Sequence, residues 1–146
     1  IFKYDLGGGG WGNKEMQWYT EDAVKTNGEG QLEISVTKIP PVAEDELPYN
    51  CFGDCQYFSG RIKTQDKIRF KYGRMEARIQ MPEGKGVWPA FWMLGSNGSW
   101  PDCGELDIME YVGKNPGEIH TTLHTPDSFG KSINTRISKI EFFICC

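Results

Sequence analysis

The sequence predicts an all-β protein, a sandwich or barrel of short antiparallel strands. Three observations carry that prediction. Apolar and polar residues alternate with period two in several segments, the connectors between them are rich in Gly and Pro, and no segment shows a ten-residue helical stripe. The chain has 146 residues, enough for one domain around a single core. No internal repeat or linker interrupts it, so 1–146 reads as one domain.

The elements follow in chain order. "LGGGGWGN" opens the chain's connectors. Its Gly7–Gly10 run lacks the Lys-Ser/Thr and the helix that a phosphate loop needs, so it reads as a mobile turn. After the Asn27-Gly28 turn signal, "QLEISVT" sets Leu32, Ile34 and Val36 against Glu33, Ser35 and Thr37, a half-buried strand. The connector "IPPVAEDELPYN" leads to Cys51 and Cys55, which flank "FGD" at a spacing that fits a small disulfide or a thiol pair. No second C-x-x-C and no suitably placed His completes a zinc site. "GRMEARIQM" points Met75, Ala77, Ile79 and Met81 inward, opposite Arg74, Glu76, Arg78 and Gln80. "VWPAFWML" puts Trp88 and Trp92 on one face of a strand, with Phe91 and Met93 on the other. The sequon Asn97-Gly98-Ser99 permits N-glycosylation in a secreted protein or serves as a polar turn. "EIHTTLHT" sets Ile119, Thr121 and Leu123 against His120, Thr122 and His124. The tail "ISKIEFFICC" ends in a hydrophobic run with nothing after it to pair with, so the sandwich looks unfinished.

Charge narrows the function classes. Sixteen Lys and Arg against twenty Asp and Glu give a net charge of −4 without a basic cluster, which argues against a nucleic-acid partner. No run of 18 apolar residues offers a membrane span. The chain opens at Ile1 with neither an initiator Met nor a signal peptide, as expected of a processed or cropped chain or a fragment. Its five cysteines leave at least one thiol free or paired between molecules.

One strand carries chemistry. "GELDIMEYVG" holds Glu105, Asp107 and Glu110. On a regular strand Glu105, Asp107, Met109 and Tyr111 share a face, and Glu110 points with Leu106 and Ile108 into the core. An unpaired carboxylate buried there is costly or stays protonated. A β-bulge near Ile108-Met109 removes the conflict, because one extra residue resets the parity. All three acids then share one face, and each has a possible role. Two carboxyls about 5–5.5 Å apart suit a retaining glycosidase, one as nucleophile and one as acid/base. The middle acid can hold the nucleophile and influence the proton of its neighbour. A solvated acidic face or a calcium site would use the same residues. Trp88, Trp92 and Trp100 lie close by in sequence, and pyranose C–H faces stack on indole. His120 and His124 do not read as a metal pair, being roughly 13 Å apart along a strand with no HExxH helix.

These segments resemble the family 16 glycoside hydrolases, in the laminarinase-like branch. The acidic strand matches that branch's E-x-D-x-x-E pattern, and "GGWGNKEMQWYT", "SGRIKT", "KYGRMEARIQMPEGKGVWPAFWMLG" and "HTTLHTP" look like its successive segments in the right order. The resemblance runs from about Gly9 to Pro126. It implies a jelly-roll β-sandwich of the concanavalin A-like kind and endo-hydrolysis of β-1,3-glucan with retention. It implies Glu105 as nucleophile, Asp107 as its assistant and Glu110 as acid/base. Trp88, Trp92 and Trp100 map to the cleft tryptophans; Asn13, Glu15, Arg74 and His124 map to polar sugar contacts. A secreted monomer is expected, with β-1,3-glucan as partner and with no cofactor or metal. The x-x spacing disfavours lichenases, which typically have E-x-D-x-E. Such enzymes continue well past the "HTP" strand, so this is expected to be a C-terminally truncated, partial catalytic domain. A non-catalytic glucan-recognition protein and an inactive fragment are the competing readings.

Overall fold

Strands dominate the computed structural model, which describes residues 1–41 and 55–129 and the backbone of Ser132–Arg136 and Glu141–Phe143. Cys51, Cys145, Cys146 and most of the long connector before Cys55 lie outside the described residues. The chain divides into two compact units, Ile1–Arg69 and Phe70–Cys146. Among the described residues no helix is long and apolar enough to cross a membrane.

The first unit contains β1 (Lys3–Tyr4), β2 (Gln17–Tyr19), β3 (Val24–Thr26), β4 (Leu32–Ile34), β5 (Thr37–Lys38), β6 (Tyr57–Ser59) and β7 (Ile62–Lys63). They form three small ladders, β1–β7, β3–β4 and β2–β6–β5. β2 and β6 run parallel, a departure from the all-antiparallel expectation. The Gly7–Gly10 turn is tied down. Gly9 and Gly10 take φ of 93° and 75°, a left-handed backbone that glycine adopts without strain. The Gly10 carbonyl accepts the N–H groups of Asn13 (2.8 Å) and Glu15 (3.1 Å). Ile39 and Cys55 are buried, and Cys55 is disulfide-bonded. Buried Asp5 pairs with Arg61 at 2.9 Å and with Lys63.

Alternation misjudged one face here. Leu32, Ile34 and Val36 are 50%, 49% and 53% exposed, so the strand has no buried face. Only Leu32–Ile34 forms a strand with β3, and two strands of three residues make too small a ladder to bury that stripe.

The second unit contains β8 (Arg78–Gln80), β9 (Ala90–Leu94), β10 (Glu105–Glu110), β11 (Glu118–His124), β12 (Ser132–Arg136) and β13 (Glu141–Phe143). Four antiparallel strands form the sheet β12–β11–β10–β9, and β13 pairs with β8. The predicted inward set reads through in burial: Met75, Ala77 and Ile79 are half-buried and Met81 is buried, while Arg74, Glu76, Arg78 and Gln80 are exposed. The core joins Met81, Met109, Tyr111 and Ile119, with Ile79, Val87 and Phe91 against it. Leu123, set on the same face as Ile119 by alternation, is exposed while Ile119 is buried. Gly95 lets β9 end beside the start of β10. A Cβ there would stand 1.7 Å from the Cys103 carbonyl oxygen, while its N–H bonds to Gly104 O at 2.9 Å.

Candidate active site

β10 supplies the acids, and its two neighbours locate the bulge. Against β11, the step from Asp107 to Glu110 matches the shorter step from Thr122 to His120. Against β9, the step from Asp107 to Met109 matches the single step from Trp92 to Phe91. Both ladders carry the extra residue at Ile108-Met109, where sequence parity required it. Ile108 and Met109 are both buried, and Met109 packs in the core. Glu105, Asp107 and Glu110 are left opposite His124, Thr122 and His120. Directly opposed residues share a face, so the acids face the polar stripe of β11.

Each acid meets an aromatic ring nitrogen. Trp100 Nε1 donates to Glu105 Oε2 at 2.6 Å, and Trp88 Nε1 donates to Glu110 Oε1 at 3.1 Å. His124 Nε2 lies 3.0 Å from Asp107 Oδ2 and donates when it carries the ring proton. Burial, and then the charges of Glu105 and Glu110, push the Asp107 carboxyl up to about 6, with His124 pulling the other way. Asp107 therefore keeps its proton to higher pH than a free aspartic acid does.

The aromatic residues arrive from three places. Trp92 lies in β9, opposite Asp107. Trp88 stands just ahead of that strand rather than within it, since β9 begins at Ala90. It still reaches the acidic face through its indole nitrogen. Trp100, in the connector before β10, is half-exposed and lies 5.9 Å from the His124 ring, centroid to centroid.

Arg74 is exposed and pairs with Glu76 at 2.7 Å. Asn13 and Glu15 belong to the first unit. Glu15 accepts from Asn13 Nδ2 at 3.0 Å, from Tyr19 OH at 2.8 Å and from Gln17. Tyr19 is pushed up to about 12, first by burial and then by the Glu15 charge and hydrogen bond. Trp11 packs on Tyr19, with the Arg61 guanidinium 4.7 Å from its ring centre.

Sequence reasoning missed three features of the acidic strand's surroundings. Phe129 packs on Trp100, although no periodicity marks it. His120 Nε2 and Thr122 Oγ1 are buried on the polar stripe of β11 without a hydrogen-bond partner among the described residues. Alternation had put both on that stripe without indicating burial. Among the described residues, no group of three or more His, Cys, Asp or Glu side chains is placed to hold a metal ion.

The comparisons agree on one family. A profile of the glycosyl hydrolases family 16 matches residues 12–141. The chain is 43% identical over 129 residues to a beta-glucanase of Rhodothermus marinus, covering 84% of this chain and 41% of the relative. It is 40% identical over 119 residues to glucan endo-1,3-beta-glucosidase A1 of Niallia circulans, covering 79% of this chain and 17% of the relative. The crystal structure of a laminarinase from Flavobacterium sp. UMI-01 superposes with a TM-score of 0.82 at 43% identity. That match covers 99% of this chain and 62% of the laminarinase, and it shows the same jelly-roll class of all-β fold. The chain thus spans less than half the length of these two sequence relatives.

Proposed function

This chain belongs to the glycosyl hydrolases of family 16, and from that premise we propose that it cuts internal β-1,3 linkages of a laminarin-type glucan with retention of configuration. The observation that carries the proposal is the bulged strand, which turns Glu105, Asp107 and Glu110 onto one face. Glu105 attacks the anomeric carbon and forms the glycosyl-enzyme. Glu110 protonates the departing oxygen and then takes a proton from the incoming water. Asp107, raised to about 6, carries a proton at mildly acidic pH that it can donate to Glu105, holding the nucleophile's orientation.

Geometry sets one demand. The residues opposite the two glutamates, His124 and His120, are four positions apart, about 13 Å along an extended strand. Both side chains must lean along the strand to bring their carboxyls to the roughly 5–5.5 Å of a retaining pair. Trp88 and Trp100, each bonded to one of the two acids, sit where they can govern that lean.

Around this centre Trp88, Trp92 and Trp100 offer faces for sugar rings, and His124 orients Asp107. Arg74, Asn13 and Glu15 serve ring hydroxyls. Residues 1–146 act as part of one catalytic domain, a reading supported by a family match that runs through both units. The partner is the glucan, met by a monomeric, extracellular protein. The net charge of −4 supports a partner other than nucleic acid.

The test is incubation with laminarin, lichenan and agarose, following reducing ends and the anomer formed first by proton NMR. Internal cleavage of laminarin with the β-anomer appearing first is expected. Binding to laminarin without new reducing ends would replace hydrolysis with recognition. An initial α-anomer would exclude the double displacement.

A further inference from the structure

Phe129 has no place in the site as assigned above, yet it touches that site. The ring is 53% exposed and stands edge-on to Trp100, with centroids 5.6 Å apart and planes at 69°. The turn before it is well tied. Thr125 N–H bonds to Ser128 O at 2.8 Å, Ser128 N–H bonds back to Thr125 O at 3.2 Å, and the Thr125 hydroxyl also engages Ser128. The turn begins at the residue after His124, so the sheet that carries the acids also fixes where Phe129 is held.

Trp100 needs such a neighbour. Its indole is 50% exposed and its N–H makes the 2.6 Å bond to Glu105, so its ring orientation sets the direction of that bond. An exposed indole with no ring packed on it samples several rotamers, and each would move the donor. Among the described residues two rings contact it: His124, itself engaged with Asp107, and Phe129. Offset and edge-on contacts of this kind are the arrangement that the ring quadrupole favours.

We infer that Phe129 is a positioning residue that braces the Trp100 indole so that its N–H holds the Glu105 carboxylate in one orientation. The catalytic part of this inference rests on the role proposed for Glu105; the brace itself does not. Phe129 acts through Trp100 and changes no bond of the substrate.

The experiment uses the full chain with 15N-labelled tryptophan, assigning the Trp100 indole resonance with Trp100→Phe. In the wild type this resonance should shift on Glu105→Gln, the mark of a bond to a carboxylate. Phe129→Ala should move it towards the free-indole position and remove its response to Glu105→Gln. On laminarin, kcat should fall about three- to tenfold, the size of one edge-on ring pair, with a smaller change in KM. Phe129→Tyr should restore both readings. An unmoved Trp100 resonance in Phe129→Ala would overturn the brace. Equal shifts of the Trp11, Trp18, Trp88 and Trp92 resonances would also overturn it, since they indicate general loosening. If the chain releases no sugar from any glucan, the hydrolase reading fails while the indole resonance still decides the brace.

Discussion

Glu15 and Asp107 are both acids set among aromatic rings, but their neighbours differ in kind. Glu15 accepts from Asn13, Gln17 and Tyr19, so donors converge on its charge. Asp107 is buried beside two further acids, and its direct hydrogen-bonding partner is His124. The second arrangement disfavours the ionised acid. Like charges gathered on a buried face oppose folding, and such sites are more often kept for chemistry than for stability. The contrast therefore predicts that changes at the acidic strand cost activity and relieve strain, while changes around Glu15 cost stability.

The largest effect should separate the two at once. Glu105→Gln is expected to lower laminarin hydrolysis by about 10³-fold or more, because the attacking group is gone. Its melting temperature should hold or rise, since one of three crowded charges is removed. Glu15→Gln should cost less than about tenfold in kcat/KM. Similar activity losses in the two variants would erase the distinction between the clusters.

Next comes the bulge. Deleting Met109 restores plain alternation, keeps Glu110 opposite His120 without the bulge's local bend and twist, and gives E-x-D-x-E spacing. Laminarin activity should fall by about 10²-fold or more, because misplacing a reacting group by a fraction of a strand repeat is costly. Met109→Leu keeps the extra residue and most of the buried volume, so it should cost less than about 1.5 kcal/mol and spare activity. Unchanged activity and substrate preference after the deletion would show that the bulge sets only which face Glu110 takes and not where its carboxyl reaches.

Much of this strand was legible beforehand, for a physical reason. A buried acid is so unfavourable that an odd spacing in Glu105-Asp107-Glu110 implies its own correction, and the ladders on both sides carry that correction. Met75, Ala77, Ile79 and Met81 were legible because their face is the less exposed one, with Ile79 and Met81 packed with Met109, Tyr111 and Ile119. Leu32, Ile34 and Val36 alternate equally well, but alternation identifies a face and does not say what lies on it. The bonds from Trp88 to Glu110 and from Trp100 to Glu105 were beyond sequence reasoning, since connectors set the reach of both rings. Phe129 was missed on the same ground, being placed by a turn rather than by a periodicity.

A smaller effect concerns pH. Asp107 is raised to about 6 from its ordinary 3.8. A carboxyl raised on folding makes a contribution that is fully present below its unfolded value and lost as pH rises through the folded one. Asp107→Asn removes the charge that burial penalises. It should match the wild type in melting temperature near pH 3.5 and exceed it by about 1–3 kcal/mol equivalent at pH 8. The gain should develop between about pH 4 and 6. A gain that stays constant across that window would mean that the crowding does not oppose folding.

The smallest effect lies in the first unit and should show no such slope. Tyr19→Phe removes the hydroxyl that donates to Glu15 at 2.8 Å and leaves Asn13 and Gln17 in place. The loss should be about 1–2 kcal/mol, that of one hydrogen bond to a charged acceptor. Tyr19 is raised from 10.0 to about 12, so its contribution is fully present below pH 10 and is lost only as pH rises through about 12. Thermal unfolding of Tyr19→Phe against wild type should therefore show a constant difference from pH 5 to 9, where Asp107→Asn has already changed or is still changing. A difference for Tyr19→Phe that grows or vanishes within that range would mean that the hydroxyl does more than donate to a carboxylate already surrounded by donors. The two clusters would then not be electrostatic opposites.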